Sequence, residues 1–532
     1  MMLKLDFNER ADSVPKWLSE FSFDLNCLWK YPNRQKLEQL IANKFSTTSD
    51  NVFVSNGGDE SIELLFKLCK LNNQSVLLPM PAFSQYTHQL EIWGIENTTV
   101  KALSDLSIDI EGIKQKLKAN QWLVLTRPNN PTGECIAEDI LINLIECAKR
   151  KGVYVFLDEA YIEFYLENSA INYALSFDNV VSLRTFSKAY GLAGARLGYL
   201  LANSELIKQF NKMAMPFNIN QLSLQLAKLA LQNTDEVKKY CKKINLNRSK
   251  IYAFLSACGI EVFNGRGNFL LFKVKPKLKT ILKSFMNKNG IQIKNKVNNL
   301  QDWVRVTIPE NSTQLLLVLQ TVFKPEILGF DMDGVLIDTS QSYDACIVKT
   351  VKYFTKTTVN TINIIELREK GGFNNDWDLS LGLITQLGFS VDHTKIVEQF
   401  QVFYQGLKHN EVNLLDKKSK HICFNNKYIT AIITGRPRPE ACDGVKQLGI
   451  TPDYIISADD VREQKPSPEG ISWLHLKTNK NRMWFCGDTV DDMQAGLASN
   501  CVCIGIGKNC KKLYQAGADI VLNNINQLSE LL

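Results

Sequence analysis

Along nearly the whole chain, short apolar runs rich in β-branched and aromatic residues alternate with longer stretches whose apolar positions recur at helical spacing. A strand that is apolar on both faces must be covered on both, and a connecting helix between successive strands does this while forcing them parallel. The pattern therefore predicts α/β architecture with mostly parallel sheets. Residues 121–126 and 153–157 read as buried strands, and residues 61–70 and 140–151 as helices. The helical stretch 314–322 stops at Lys324-Pro325-Glu326, and a new apolar strand follows at 327–330. Proline after a helix is a stop signal, and the motifs on its two sides are unrelated, so a domain boundary is expected there. It divides the chain into residues 1–324 and 325–532 without a flexible linker.

The length of 532 residues accommodates three or four compact units at about 100–200 residues each. With 45% hydrophobic and 22% charged residues the chain is neither disordered nor fibrous. A net charge of +7, spread without any long basic run, does not indicate nucleic acid binding. No apolar stretch approaches the ~18 residues of a membrane span, and Asp6 interrupts the N-terminus before a secretory leader takes shape. The 13 cysteines are odd in number and lack zinc-like Cys-x-x-Cys pairs, so they read as reduced thiols of a cytoplasmic protein. Cys501-x-Cys503 reads as part of a buried strand.

In the first part the informative residues form an ordered series: Asn130-Pro131-Thr132-Gly133, Asp158-Glu159-Ala160-Tyr161, Thr185-Phe186-Ser187-Lys188, and Arg196. Taken alone, Asp158 caps a following helix as readily as it binds a ligand. As a series, the residues lie near strand ends, where the carboxyl edge of a parallel sheet builds ligand sites. They suit pyridoxal phosphate, which needs a lysine to bond its aldehyde, an acid on its ring nitrogen and a phosphate cradle. Lys188 supplies the first and Asp158 the second. Asn130 and Tyr161 can hydrogen-bond the ring's phenolate oxygen, and Thr185, Ser187 and Arg196 offer two hydroxyls and a cationic fork to the phosphate. Gly57, Gly58 and Asp59 precede a helix whose free backbone amides suit an anion, although glycine with Asp is also ordinary turn chemistry. Phe83 either stacks on the cofactor ring or belongs to the core.

These residues, together with Asn8-Glu9, Tyr31-Pro32, Pro216-Phe217-Asn218, Asn268-Phe269 and Arg305, resemble the fold-type I aminotransferases, the histidinol-phosphate aminotransferases most closely. The resemblance implies a large domain at about 30–220 and a small domain built from the N-terminal arm and about 221–324. It also implies a homodimer in which Tyr31 reaches the neighbouring subunit's cofactor phosphate, with Arg305 and Asn268 on the substrate side. Lys294 stands where that family usually has arginine, and lysine's point charge does not reproduce arginine's two-point grip. Ile308-Pro309 replaces a common valine-glycine, and a related decarboxylase of threonine phosphate shares many of the same residues.

The second part opens with Phe330-Asp331-Met332-Asp333-Gly334, an apolar strand delivering carboxylates at i and i+2. Both reach one site only if the chain leaves the sheet at Asp333-Gly334. With Thr434-Gly435-Arg436, Lys465-Pro466 and Gly487-Asp488-Thr489-Val490-Asp491-Asp492, this resembles the four motifs of the haloacid dehalogenase superfamily of phosphatases, which implies a Rossmann-like fold. Asp331 would be the nucleophile, Asp333 the general acid and base, and Thr434 and Lys465 the phosphoryl contacts. Asp331, Asp333 through its backbone carbonyl, Asp488 and Asp492 would hold Mg²⁺ with hard oxygen donors. About ninety residues of helical spacing, 339–427, fit an inserted α-helical cap. Residues 369–377 within it read either as a specificity loop or as a plain surface turn.

Together the parts imply consecutive reactions on small molecules. Glutamate would aminate a phosphorylated oxo compound, imidazole-acetol phosphate, and the phosphatase would release histidinol. The alternatives are an aminotransferase for another amino acid, a threonine-phosphate decarboxylase-like enzyme, a phosphatase for a different phosphoester, or one domain kept only for binding or dimerisation.

Overall fold

A computed structural model describes residues 2–297, 300–368 and 375–532. It contains two compact units, Met1–Val274 with Gly290–Gln314, and Lys275–Asn289 with Leu315–Leu532. The units interleave in sequence: helix Pro276–Lys288 and most of helix Thr313–Phe323 pack with the second unit, although both precede Pro325. Trp484 Nε1 donates to the Thr321 carbonyl at 2.8 Å, and Lys288 pairs with Asp519 at 2.7 Å. A proline stop marks where a helix ends, not which surface covers its apolar face.

The first unit is built on a seven-stranded sheet in the order Val52–Ser55, Gly198–Ala202, Val180–Thr185, Val153–Asp158, Gln121–Thr126, Ser75–Pro79, Asn97–Val100. All strands are parallel except Gly198–Ala202. Alternation along each strand feeds two cores: Trp122, Val124 and Phe156 point into one, and Leu123, Leu125, Val155 and Leu157 into the other. Helices Gly57–Leu71 and Glu138–Arg150 fall where the helical spacing predicts them. The antiparallel pair Phe269–Lys273 and Trp303–Thr307, and the pairing of Leu3–Leu5 with Ile291–Ile293, bring the N-terminal arm and Arg305 to the sheet's carboxyl edge.

The second unit carries a six-stranded parallel sheet in the order Tyr454–Ile456, Ile429–Ile433, Ile327–Phe330, Met483–Gly487, Val502–Ile506, Ile520–Leu522. Four helices, Tyr343–Thr355, Thr361–Arg368, Asp376–Gln386 and His393–Leu407, enclose their own core around Ile347, Leu379 and Phe400. The chain enters this cap from Ile337–Asp338 and returns through Val412–Asn413, which pair antiparallel. Residues up to about 427 are expected in the cap, yet helix Lys417–Cys423 belongs with the main body. Asp416 N donates to Asn526 Oδ1 (3.0 Å) and Ser419 Oγ to the Asn526 carbonyl (3.2 Å). Of the expected specificity loop, residues 369–374 lie outside the described residues, and Asn375 caps the helix Asp376–Gln386. Cys501 and Cys503 are buried free thiols, the latter within a strand. Among the described residues no helix is long and apolar enough to cross a membrane.

Candidate active sites

Strand Val153–Asp158 ends with Asp158 turned toward a cavity of about 550 Å³ and Glu159 turned away from it. Glu159 is fully buried and accepts from Arg184 Nε and Ser182 Oγ, both at 3.0 Å, which anchors the strand end from below. Asp158 accepts from Tyr86 Oη at 2.7 Å and from Ala160 N at 3.0 Å. Burial pushes the Asp158 carboxyl up to about 6, against the opposing pull of these two hydrogen bonds and the Lys188 charge. Lys188 lines the same cavity, with Nζ donating to the Phe7 carbonyl at 3.0 Å and lying 5.6 Å from the centre of the Tyr161 ring.

The Tyr161 hydroxyl accepts from Asn8 Nδ2 (3.2 Å) and Asn130 Nδ2 (3.4 Å). Arg305, nearly buried, donates to Asn130 Oδ1 and to the Asp6 carbonyl at 2.6 Å each, and among the described residues its Nε has no hydrogen-bond partner. Asn268 supports the arm rather than lining the cavity, donating to the Asn8 carbonyl at 3.1 Å. Lys294 and Phe83 line the cavity.

At its other end Thr185, Ser187, Gly58, Asp59 and Arg196 converge. Thr185 Oγ1 accepts from Ser187 N at 3.1 Å, and Arg196 pairs with Asp59 at 2.5 Å. Gly57 has φ +75° and opens the helix Gly57–Leu71; a Cβ there would fall 2.6 Å from the Arg196 guanidinium, so only glycine leaves that cation over the helix N-terminus. Two hydroxyls, a guanidinium and a helix start fit the phosphate of pyridoxal phosphate, and Asp158 fits its ring nitrogen. Tyr31 lies apart from this cavity, 80% exposed and stacked on Phe217 at 4.3 Å.

In the second unit, two strand ends, after Phe330 and Gly487, and the first turn of helix Val490–Ala498 deliver carboxylates to one point. One ligand atom from each of Asp331, Asp488 and Asp492 lies within 4.8 Å of the others. Lys465 Nζ donates to Asp331 Oδ1 (2.7 Å), to Asp492 Oδ1 (2.5 Å) and to the Ile433 carbonyl (3.1 Å). Burial raises the Asp331 carboxyl and, with the neighbouring Asp492 and Asp331 charges, raises that of Asp488 well above the usual range. Among the described residues, buried Asp488 Oδ1 has no hydrogen-bond partner. An all-carboxylate donor set with an orphaned oxygen fits a hard dication such as Mg²⁺. Gly334 turns the chain at φ +73°, and a Cβ there would meet Asp488 Oδ2 at 2.1 Å. The Asp333 side chain lies outside this cluster, held by Arg436, whose Nε donates to Oδ1 (2.9 Å) and Oδ2 (3.1 Å) and whose Nη2 donates to Oδ1 (2.6 Å). Thr434 is buried beside them, its Oγ1 accepting from Arg436 N at 3.2 Å.

Tyr86, Arg436 and Glu411 carry no role that the sequence alone reveals. Tyr86 had a signal: it lies three residues after Phe83 at the start of helix Ser84–Trp93, so the two face one way.

Residues 5–320 match the family Aminotransferase class I and II, and residues 328–506 the family Haloacid dehalogenase-like hydrolase. Histidinol-phosphate aminotransferase of Caldanaerobacter subterraneus subsp. tengcongensis is 32% identical over 326 residues, covering 59% of this chain and 91% of that protein. That of Pectobacterium atrosepticum is 33% identical over 301 residues, covering 54% and 83%. Histidinol-phosphate aminotransferase from Sinorhizobium meliloti, solved in complex with pyridoxal-5'-phosphate, superposes with TM-score 0.55 at 24% identity over 60% of this chain and 89% of its own. L-threonine-O-3-phosphate decarboxylase from Porphyromonas gingivalis gives TM-score 0.51 at 21% identity over 60% and 98%. These solved structures share the fold of the first part, that of pyridoxal-phosphate-dependent transferases. The chain is an enzyme that joins a haloacid dehalogenase-like hydrolase domain to an aminotransferase, and it belongs to the aminotransferase class I and II family.

Proposed function

We propose that the first part transfers the amino group of glutamate to imidazole-acetol phosphate, and that the second part is a Mg²⁺-dependent phosphatase that converts the resulting histidinol phosphate to histidinol. The observation that carries the first half is the convergence of Asp158, Lys188, the Thr185–Ser187–Arg196 cradle and Arg305 in one cavity. It is supported by relatives named histidinol-phosphate aminotransferase that align over most of their length. Histidinol phosphate as the phosphatase substrate rests on the joining of the two domains in one chain. We further propose that the change of chemistry falls at residues 324–325, and that the protein is a cytoplasmic homodimer. The exposed Tyr31–Phe217 pair supports an aromatic contact reaching a second copy.

Bound pyridoxal phosphate supplies the electron sink for amino transfer. Asp158 would hold the proton on its ring nitrogen, while Tyr161 and Asn130 would hold its phenolate oxygen. Lys188 Nζ, which lines the cavity beside the Tyr161 ring, takes the proton from the substrate's α-carbon and would pass it to the cofactor. Arg305 and Lys294 present two cations to the substrate's acidic group.

In the phosphatase, bound Mg²⁺ neutralises charge on the phosphoryl group. An Asp331 carboxylate oxygen attacks phosphorus, the bond to the leaving oxygen breaks, and that oxygen takes a proton from Asp333. Asp333 then removes a proton from water, whose oxygen attacks the phosphoryl group and returns Asp331 with free phosphate. Lys465 holds Asp331 in place throughout.

The test is to incubate purified protein with imidazole-acetol phosphate and glutamate, and to measure histidinol phosphate, histidinol and inorganic phosphate separately. Formation of neither organic product refutes the histidine-pathway reading. Histidinol phosphate that accumulates without release of phosphate refutes the second half alone.

A further inference from the structure

Arg436 is 2% exposed and ties together three parts of the second unit that must cooperate for phosphate transfer. Its backbone is fixed on both sides: Arg436 N donates to Thr434 Oγ1 at 3.2 Å, and its carbonyl accepts from Ala458 N at 3.0 Å. From this anchored position the guanidinium grips both oxygens of Asp333. Asp333 has no other side-chain partner among the described residues, and it sits next to Gly334 on a turn with 30% of its side chain exposed. A carboxyl on such a turn has several accessible rotamers unless something holds it.

The same guanidinium donates through Nη1 to Glu411 Oε2 at 3.2 Å. Glu411 is buried immediately before the returning linker strand Val412–Asn413. Its other oxygen accepts from Tyr404 Oη (3.1 Å), in the last cap helix, and from Ser342 Oγ (3.3 Å), immediately before the first. Tyr343, which opens that first helix, places its ring 4.8 Å from the Arg436 guanidinium. Glu411 thus marks both crossings between body and cap, and Arg436 connects it to the acid and base. A planar fork with five donors can hold both oxygens of one carboxylate while reaching a second, a rigid two-point grip that a lysine's point charge does not give.

We propose that Arg436 is the positioning residue of the phosphatase: it aims the Asp333 carboxyl at the leaving oxygen, and Glu411 makes that aim depend on the seating of the cap. The inference rests on the phosphatase reading above. It differs from a plain structural ion pair in one consequence. Asp333 delivers its proton only to a leaving oxygen that needs one. An alkoxide needs it, and p-nitrophenolate does not, so losing the aim must harm alkyl esters selectively.

The experiment measures kcat/KM of the full-length protein with Mg²⁺ for β-glycerophosphate and for p-nitrophenyl phosphate. General acid catalysis is worth about 10²–10⁴-fold, so Arg436→Ala should lower the β-glycerophosphate rate at least about tenfold more than the nitrophenyl rate. Arg436→Lys and Glu411→Gln keep most of the packing and should shift the ratio the same way by less. In an Asp333→Asn background, Arg436→Ala should leave the ratio where Asp333→Asn already puts it, the signature of two residues acting through one group. Equal loss on both esters in all three variants would overturn the proposal, as would a further change of ratio in the Asp333→Asn background. A parent enzyme that hydrolyses neither ester would instead overturn the phosphatase reading, and the inference with it.

Discussion

Replacing Asp158 by asparagine should stabilise the cofactor-free first unit while disabling it as an enzyme. Asp158 is 4% exposed, and burial raises its carboxyl from 3.8 to about 6 even though Tyr86, Ala160 and Lys188 favour the ionised form. A carboxyl whose folded pKa exceeds its unfolded one holds its proton more tightly in the folded chain. Its favourable contribution is complete below about pH 4 and is lost as the pH rises through about 6. Between 3.8 and about 6 this amounts to about 3 kcal/mol, at about 1.4 kcal/mol per tenfold change in proton affinity. Asparagine has the same shape and no charge. Its oxygen can accept from Ala160 N, and its amide can donate to a Tyr86 hydroxyl that rotates to accept. The variant should therefore match the parent near pH 4 and exceed it by up to about 3 kcal/mol above pH 6. Urea unfolding between about pH 4 and 8 reads this directly, on the transition that moves to higher urea when pyridoxal phosphate is added. A stability difference that does not change with pH, or one of opposite sign, would show that Asp158 does not carry buried charge. With cofactor and substrates present, transamination by the variant should fall by orders of magnitude because the ring nitrogen loses its counter-charge.

Lys188→Ala should abolish the visible band of the covalently held cofactor while pyridoxal phosphate still binds, and borohydride should then label no lysine; a labelled lysine elsewhere contradicts the assignment. Asp331→Asn should stop phosphate release and leave amino transfer intact, measured on the two substrates separately, since an amide is no nucleophile; loss of both reactions in a folded protein would mean the sites are coupled. Gly334→Ala should weaken Mg²⁺ binding in a calorimetric titration, because its Cβ would meet Asp488 Oδ2 at 2.1 Å on a turn of φ +73°; unchanged affinity would place the ion elsewhere. EDTA should inhibit only the phosphatase, and an aminooxy reagent only the transaminase.

The parts of both sites that are readable in the sequence are those where chemistry lies next to a strand end. Asp158, Asp331 and Thr434 follow apolar runs directly, Thr185 ends its strand, and Lys188 and Asp488 come within three residues of a strand end; in a parallel sheet adjacency to the carboxyl end is enough to bring such residues to one edge. The interactions that tune them are not readable this way. Tyr86 is separated from Asp158 by 72 residues, Arg436 from Asp333 by 103 and Arg305 from Asn130 by 175. Each pair meets only after strand order is settled, and strand order is not written in periodicity. The same reasoning covers helix Pro276–Lys288: its apolar face demands a cover, and nothing local says that the second unit provides it. The end of the cap is obscure for a similar reason, because helix Lys417–Cys423 is held by Asn526, more than a hundred positions later.

The two sites share an electrostatic condition despite their different chemistry. Each buries or half-buries carboxylate that the protein itself does not neutralise. In the first, Lys188 Nζ is directed to the Phe7 carbonyl, and among the described residues Asp158 has only the neutral donors Tyr86 and Ala160 in direct contact. In the second, Asp331 and Asp492 pair with the ammonium of Lys465, Asp488 is reached by the charges of Arg368 and Lys465 without a direct ion pair, and among the described residues Asp488 Oδ1 has no donor. Uncompensated carboxylate in such surroundings resists ionisation, which is the direction seen for Asp158, Asp331 and Asp488 alike. A cation of matching charge removes the penalty: one positive charge on a ring nitrogen in the first site, two on a metal ion in the second. With such a cation in place the carboxylates would ionise without that penalty, so the burial that raises them favours a cationic partner in each pocket.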